Sequence, residues 1–324
     1  MSYGFSTTPV HQRGIAAITA MLVVTLATLL AVEMLWELTL NIRRTEVLFL
    51  RSQAREIAMG PEIWVADILR EDFEESGPNG TDTNQDDWAR EIPPLPVEGG
   101  TVDGFVQDMQ ARFNLNNLID DRGRKDPLAF EQFQRLLVIL ELEAGLAEKV
   151  LDWIDPDQQP ELSGAEDDIY TSQTPPYRTA NFWFTTTSEL LAIDGFNGNI
   201  LKILDNHVAA LPLAASAQIS ARKINVNTAT IPVLQSLGQG LTEADADTLA
   251  GCRPYDDIDQ FMDMVEDTGM AIDSAMRPYL EVGTNFFRLN VIVSLGTTRL
   301  AMYSLLERSG NGIVTTRLRS FDTS

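Results

Sequence analysis

The chain has 324 residues and carries 47 acidic against 24 basic side chains, which gives a formal net charge of −23 and a pI near 4.3. This negative charge repels phosphate backbones and argues against broad nucleic-acid binding. The single cysteine, Cys252, excludes an internal disulfide, and we expect it to act as a small buried hydrophobe. With only two histidines, His11 and His207, the composition also argues against a Cys/His zinc site and a Ser-His-Asp hydrolase.

The first predicted element is an apolar helix near the N-terminus. Residues 15–32 contain no charge over 18 positions. At about 1.5 Å per residue this run is just long enough to cross a bilayer core of roughly 30 Å. A polar leader of 14 residues precedes it, and the only full charge of that leader is Arg13. Positive charge on that side predicts a cytoplasmic N-terminus and a translocated C-terminal bulk.

Three kinds of segment share this pattern: a cleaved secretory signal, a permanent single-span anchor and a prepilin. A secretory signal ends in a small-residue cleavage site after its apolar core. Here helical spacing continues far beyond Glu33, and we predict one long helix over 15–75. Arg13-Gly14 followed at once by Ile15 favours a prepilin that is cut between Gly14 and Ile15.

A segment rich in turn-forming residues follows at 75–100. Its three prolines at 93, 94 and 96, together with Gly99-Gly100, are predicted to preclude a continuous helix or strand. The next residues, 100–118, alternate imperfectly between apolar and polar side chains. This alternation predicts one or two short strands that enter the body of the protein.

From about residue 127 the pattern is helical, and near Phe286 it changes again. Apolar residues recur at three- and four-residue spacing, which predicts core-facing helices within 127–154, 197–211, 229–252, 257–269 and 274–283. From Phe286 the period drops to two. This predicts strands over 285–296, 297–308 and 312–321, with a turn at 309–312 between the last two.

The acidic loop at 152–168 is the strongest candidate for chemistry. Asp155 to Glu166 has the 12-residue length of an EF-hand loop, but Pro160 stands at the sixth position, where that motif needs glycine. An EF-hand is therefore excluded, although Ca²⁺ accepts irregular oxygen coordination and would relieve repulsion among crowded carboxylates. The alternative is a solvated acidic loop. The predicted ligands are Asp155, Asp157, Glu166 and Asp167.

A second motif, INVNTATIPVLQSLGQG at 224–240, resembles the helix-hairpin-helix modules of competence-type DNA receptors. Those modules offer the backbone N–H groups of a Gly-x-Gly hairpin to a phosphate. Gly238-Gln239-Gly240 has that form, but residues 225–275 hold ten acids and only one base, Arg253. We therefore expect no nucleic-acid binding. The asparagines within 113–118 and 224–228 are expected to tie turns to the backbone.

Several motifs in order give the chain a family resemblance. The leader ending in Arg-Gly and the helix IAAITAMLVV resemble type IV pilin-like proteins. The motifs RFNLNNL (112–118), DWID (152–155), GAEDxxY (164–170), PPYRxAN (175–181) and INVNTA (224–229) make the chain similar to the K-type minor pseudopilins (GspK family) of the type II secretion system.

The resemblance implies an α+β fold of the type IV pilin kind, with a long N-terminal helix, an antiparallel sheet and a large all-helical insertion. On that basis we expect a prepilin leader at 1–14 and a transmembrane and assembly helix at 15–75. The pilin-like body would comprise 76–120 and 282–324. The inserted helical domain would comprise 121–281, with the acidic metal loop and the hairpin segment.

The resemblance also implies a function, that of a non-enzymatic tip subunit. Such a subunit initiates pseudopilus assembly and supports export of folded proteins across the outer membrane. Most pseudopilins carry a glutamate at the fifth mature position, which meets the amine of the subunit ahead. Thr19 stands there in this chain. Threonine is also common in membrane helices. Given the family resemblance, however, Thr19 fits a subunit that has no other subunit ahead of it in the filament.

The same resemblance implies modifications, partners and a location. The prepilin peptidase would cut after Gly14 and methylate Ile15, and calcium would be a structural cofactor. Partners would be minor pseudopilins of the I, J and H types, with contacts to exported proteins and the outer-membrane channel. The protein would cross the inner membrane once, with its C-terminal bulk in the periplasm. The alternative is a bitopic periplasmic receptor that binds DNA or another ligand through 224–240.

Overall fold

The computed structural model describes residues 12–78, 80–212 and 221–322, so residues 1–11 of the predicted leader and residues 323–324 of the predicted body lie outside it. The helices are α1 (Gln12–Ser76), α2 (Pro127–Ile139), α3 (Leu146–Ile154), α4 (Asp167–Thr171), α5 (Gly198–Leu204), α6 (Ile231–Ser236), α7 (Glu243–Gly251) and α8 (Ile258–Asp267). The strands are β1 (Ile92–Val97), β2 (Gly100–Asp108), β3 (Phe113–Asn114), β4 (Val208–Ala209), β5 (Ile224–Asn225), β6 (Leu280–Glu281), β7 (Phe286–Leu295), β8 (Thr298–Arg308) and β9 (Val314–Asp322).

The architecture is a long helix on an antiparallel sheet, with a helical domain inserted into the sheet's connectivity. The five strands lie in the order β1-β2-β7-β8-β9, and every neighbouring pair is antiparallel. The helical domain leaves the sheet after β2 and returns before β7. This arrangement confirms the predicted α+β, pilin-like fold class, although the insertion is not all-helical because it also contains the short strands β3 to β6.

Helix α1 has two halves with different surroundings. Residues 15–49 are all exposed, whereas from residue 50 onwards one face of the helix packs on the sheet. Small and branched side chains, Ala54, Ala58, Val65 and Leu69, are buried there. Alternating residues of β7 and β8 complete this core, as a sheet covered on one face requires. The sheet thus fixes only the second half of the helix.

The proline-rich segment forms a strand, so the prediction for it was wrong. β1, with the sequence IPPLPV, pairs antiparallel with β2 and has a bulge between Ile92 and Leu95. β1 is an edge strand, and a proline is tolerated there because its missing N–H needs no partner on the open side. The same prolines make this edge a poor template for a further strand.

The helical domain has its own core, which extends from Phe113 to Val282. Two short parallel strand pairs, β3 with β4 and β5 with β6, mark its two ends. Phe113, Leu115 and Leu118 are buried in this core. The sheet part of the chain therefore ends near Asp108, earlier than the boundary at 120 that the sequence suggested.

Buried asparagines hold the turns of this domain, which confirms their predicted structural use. The Asn114 side-chain oxygen accepts from the N–H of Asn116 at 3.2 Å and from that of Leu211 at 3.0 Å. In the second motif, Asn227 donates to the carbonyl of Tyr255 at 3.0 Å and accepts from its N–H at 2.8 Å. These bonds satisfy backbone groups that burial would otherwise leave unpaired.

A buried ion pair joins the sheet to the linker after α1. Arg308, which is 5% exposed, donates to Asp82 at 2.7 Å and to the carbonyl of Thr284 at 2.9 Å. Asp82 also accepts from the N–H of Thr284 at 2.7 Å. Burial raises the pKa of Asp82 to about 7, although Arg308 acts in the opposite direction. The pair lies where the long helix, the sheet and the helical domain meet.

Candidate functional site

Three carboxylates meet between the end of α3 and the start of α4. Oxygens of Asp155, Asp157 and Glu166 all lie within 4.8 Å of one another. Asp155 is the C-cap that directly follows α3, and its N–H donates to the carbonyl of Leu151 at 2.9 Å. Glu166 directly precedes α4. The two helices therefore fix the outer ligands, and the loop between them folds back so that the carboxylates converge.

Two members of this cluster have buried side-chain oxygens without a hydrogen-bond partner among the described residues. Asp155 is 8% exposed and Glu166 is 3% exposed. Oδ1 of Asp155 and both side-chain oxygens of Glu166 have no partner among the described residues. Buried ionised carboxylates are costly unless they are paired, hydrogen-bonded or bound to a metal. These oxygens are thus the part of the site that most needs a ligand.

The electrostatics of the cluster agree with its geometry. Burial raises the pKa of Asp155 to about 7, and repulsion from Asp157 and Asp152 adds to that effect. Burial also raises the pKa of Glu166 to about 7, with repulsion from Asp152 and Asp155 next in size. The protein alone therefore disfavours the ionised cluster, and a bound cation would reverse that preference.

Asp152 holds the backbone of the acidic loop through its carboxylate, a role that the sequence did not reveal. It is fully buried, and its two oxygens accept from the N–H of Glu161 at 3.3 and 3.2 Å. Burial raises its pKa to about 6. A Cβ at Gly164 would lie 1.8 Å from Oδ2 of Asp152, so the loop backbone rests directly on this carboxylate. Only its helical spacing of three residues before Asp155 could have indicated this.

Asp167, the fourth predicted ligand, lies outside the cluster. Its Oδ1 accepts from both the N–H and the hydroxyl of Thr179 at 3.0 Å, and its other oxygen lies 3.3 Å from Arg178. Asp167 thus ties the start of α4 to the neighbouring loop. The ligand set that the structure brings together is the other three predicted residues.

This donor set fits a hard divalent cation. Carboxylate oxygens are the ligands that Ca²⁺ and Mg²⁺ take, and the three carboxylates offer up to six oxygens. Their formal charge exceeds that of the ion, so binding would offset the mutual repulsion. Within the described residues, neither a thiolate nor an imidazole joins the cluster, which argues against softer transition metals.

The glycines of the hairpin motif have structural explanations. A Cβ at Gly238 would lie 2.2 Å from the carbonyl oxygen of Ala271, and Gly240 has a φ of +82°. Close packing and a left-handed turn therefore account for both glycines without a ligand. At the start of α7, the hydroxyl of Thr242 accepts from the N–H of Asp245, and the Asp245 carboxylate accepts in return. The acidic residues at the N-terminus of α7 disfavour the binding of phosphate there.

The predicted processing residues lie near the N-terminal end of α1. Gly14 and Ile15 are both within its first turns, because the helix begins at Gln12. The hydroxyl of Thr19 donates to the carbonyls of Ile15 and Ala16 at 3.1 and 3.0 Å. Thr19 therefore satisfies its polar group inside its own helix.

Helix α1 is the single membrane-span candidate among the described residues. An 18-residue window of it has a mean hydropathy of 2.5, and none of that window is buried. A core helix of a soluble protein would be mostly buried, so this apolar window of α1 does not contribute to the core of its own chain.

Cys252 is exposed, contrary to the prediction that it is buried. It follows the last residue of α7, where its N–H bonds to the carbonyl of Leu249 at 3.3 Å. The helix end turns this side chain outward, away from the core that the preceding turn covers.

Comparison with known families finds a match in each half of the helical domain. Two models described as type II secretion system (T2SS), protein K, match residues 111–213 and 224–283. Type II secretion system protein K of Pseudomonas aeruginosa is 33% identical over 93% of this chain and 90% of its own length. The protein of the same name from Klebsiella pneumoniae is 31% identical over 95% of this chain and 96% of its own.

A solved structure agrees with these sequence relatives. The match is to a chain in the crystal structure of the GspK-GspI-GspJ complex from the enterotoxigenic Escherichia coli type 2 secretion system. It has a TM-score of 0.74 and 25% sequence identity, and it covers 87% of this chain and 100% of that chain. The likeness therefore extends across the sheet and the helical domain together.

Proposed function

The chain belongs to the type II secretion system protein K family, and from that premise we propose that it is a non-enzymatic minor pseudopilin at the tip of the pseudopilus. There it initiates assembly and supports the export of folded proteins. The observation that carries this proposal is the exposure of all of residues 15–49 in α1. The first 18 of these residues, 15–32, carry no charge, and so long an apolar surface needs the membrane and then the helices of other subunits to cover it.

Thr19 supports the position at the tip. A glutamate at this place would need a positive partner from a subunit ahead, because an unpaired carboxylate is expensive in an apolar filament core. The Thr19 hydroxyl is satisfied by carbonyls one turn back in the same helix. The chain can therefore enter the bilayer and the filament without any subunit ahead of it.

The proposed partners are the other minor pseudopilins. The similar crystal structure is that of a complex in which GspK is joined with GspI and GspJ. We propose that this chain forms the corresponding complex, with an H-type subunit behind it. In that complex the chain would be mature, because the prepilin peptidase cuts after Gly14 and methylates Ile15. The bulk of the chain lies in the periplasm, where the helical domain can meet exported proteins and the outer-membrane channel.

Calcium is the proposed occupant of the acidic cluster. Asp155, Asp157 and Glu166 would hold the ion, and Asp152 would keep the loop in place. The bound ion would supply positive charge to the three buried oxygens of Asp155 and Glu166 that have no hydrogen-bond partner among the described residues. The site lies inside the helical domain and between two helices, which suits a stabilising role.

The alternative function, a receptor that binds DNA through 224–240, has little physical support. Packing and turn geometry explain both hairpin glycines, and acids surround the hairpin. Binding of duplex DNA at physiological salt would favour it instead.

The intact mass of the protein from membranes of a host with the prepilin peptidase tests the proposed processing. Loss of residues 1–14 with one added methyl group is the expected result. An uncut chain would indicate a plain single-span anchor and would bring the receptor alternative forward.

A further inference from the structure

The part of α1 between its apolar run and the sheet carries two adjacent arginines, Arg43 and Arg44. Both are exposed, and no carboxylate of the described residues lies within 4.0 Å of either guanidinium. Another exposed arginine of the same helix is paired: Arg70 lies 3.0 Å from Asp67. In a chain with a net charge of −23, two adjacent unpaired cations require an explanation.

The distance of Arg43 and Arg44 from the apolar run, measured along the helix axis, places them at a membrane surface. Trp36 is 67% exposed and follows the apolar run, as aromatic residues at a bilayer interface do. Arg43 and Arg44 lie about 10 and 12 Å further along the helix axis. Helical side chains tilt toward the helix N-terminus, which here is the membrane side, so both guanidinium groups reach back toward the headgroups.

Their directions around the helix favour lipid over a neighbouring helix. Consecutive residues of an α-helix point about 100° apart, so Arg43 and Arg44 face different sides. A single partner helix would meet only one of these sides, whereas lipid headgroups surround the helix. The guanidinium group also matches phosphate oxygens through paired N–H donors.

We propose that Arg43 and Arg44 bind the phosphate groups of anionic phospholipids where α1 leaves the bilayer. The inference rests on the proposed role of α1 as a membrane anchor. It adds a lipid preference that would hold the subunit upright in the membrane before assembly.

Trp36 provides a readout about two helical turns from the pair. The full-length protein is reconstituted into vesicles in which either phosphatidylglycerol or phosphatidylcholine carries bromine, and the quenching of Trp36 fluorescence is compared. The chain has 5 tryptophans, so Trp36→Phe supplies the background. The test variant is Arg43→Gln/Arg44→Gln, and the matched control is Arg70→Gln, about 39 Å further along the same helix.

The expected result is stronger quenching by brominated phosphatidylglycerol in the wild type and in the control, with that preference lost in the double variant. The preference should be about fivefold per arginine, as for one basic residue at an anionic surface. Equal quenching by both lipids in the wild type overturns the proposal while leaving the anchor intact. No quenching by either lipid overturns the anchor as well. A double variant that keeps the preference but no longer copurifies with other pseudopilins would make the pair a protein contact and overturn the lipid proposal.

Discussion

Glu166 gives the sharpest test of the proposed calcium site, because the effect of its neutralisation should change sign with the metal. In the presence of calcium, Glu166→Gln removes a charged ligand and lowers stability. In chelator at pH 8, the same change removes a buried, unpaired carboxylate whose pKa burial raises to about 7 from 4.5. The variant should then be more stable than the wild type.

The magnitude follows from the raised pKa. Each pKa unit corresponds to about 1.4 kcal/mol, so the shift sets a ceiling of about 3 kcal/mol, and partial solvation leaves roughly 1–3. A group whose pKa is raised in the folded state loses its favourable contribution as pH rises through that value. The advantage of the variant in chelator should therefore be present at pH 8 and vanish near pH 5, where the folded protein holds Glu166 protonated.

Thermal melting of the full-length protein in detergent measures the change in melting temperature that Glu166→Gln causes with calcium and with chelator. A domain of 150–250 residues shifts by roughly 2–4 °C per kcal/mol, so the changes are well within reach. Asp168→Asn is the matched control, since Asp168 is an exposed neighbour outside the cluster. If Glu166→Gln lowered the melting temperature equally in both solutions, the carboxylate would be structural and the metal site would be refuted.

Three further predictions address the loop, the domain junction and the orientation. Gly164→Ala should weaken calcium binding at least about tenfold in calorimetry, because its Cβ would overlap the supporting carboxylate, while Gly60→Ala, which meets nothing within 4 Å, should not. Arg308→Met should cost about 3–5 kcal/mol in chemical denaturation by leaving Asp82 buried and unpaired, and adding Asp82→Asn should recover part of that loss. Cys252 is exposed and is the only cysteine of the chain, so a membrane-impermeant maleimide should label it once the outer membrane alone is opened; labelling only after inner-membrane lysis would contradict the periplasmic placement.

The fold could be predicted from the sequence because it depends on local periodicity. The long helix, the helical block and the three C-terminal strands each repeat their apolar residues at the spacing that their structure requires. The proline-rich segment could not be predicted as a strand, because what decides the matter is its place at the edge of the sheet. Edge position depends on the strand order, which no local pattern contains.

The candidate site, like the fold, could be predicted from the sequence only in part. A loop of 12 residues between two helices brings its ends together, so Asp155 and Glu166 could be predicted as neighbours. Asp167 was expected beside them, but its partner Thr179 comes from a different loop, and only the tertiary structure shows that contact. The role of Asp152 was missed because the residue type does not show that its carboxylate accepts hydrogen bonds from the loop backbone.

The central claim is that this chain is the tip subunit of a pseudopilin complex. The most direct measurement is the native mass of the complex recovered when the full-length chain is coexpressed with the I- and J-type subunits. We expect one assembly with one copy of each chain, which should be lost when charged residues replace exposed apolar positions such as Leu48 and Phe49 of α1. A chain recovered alone, or in complexes with several copies of itself, would contradict the claim.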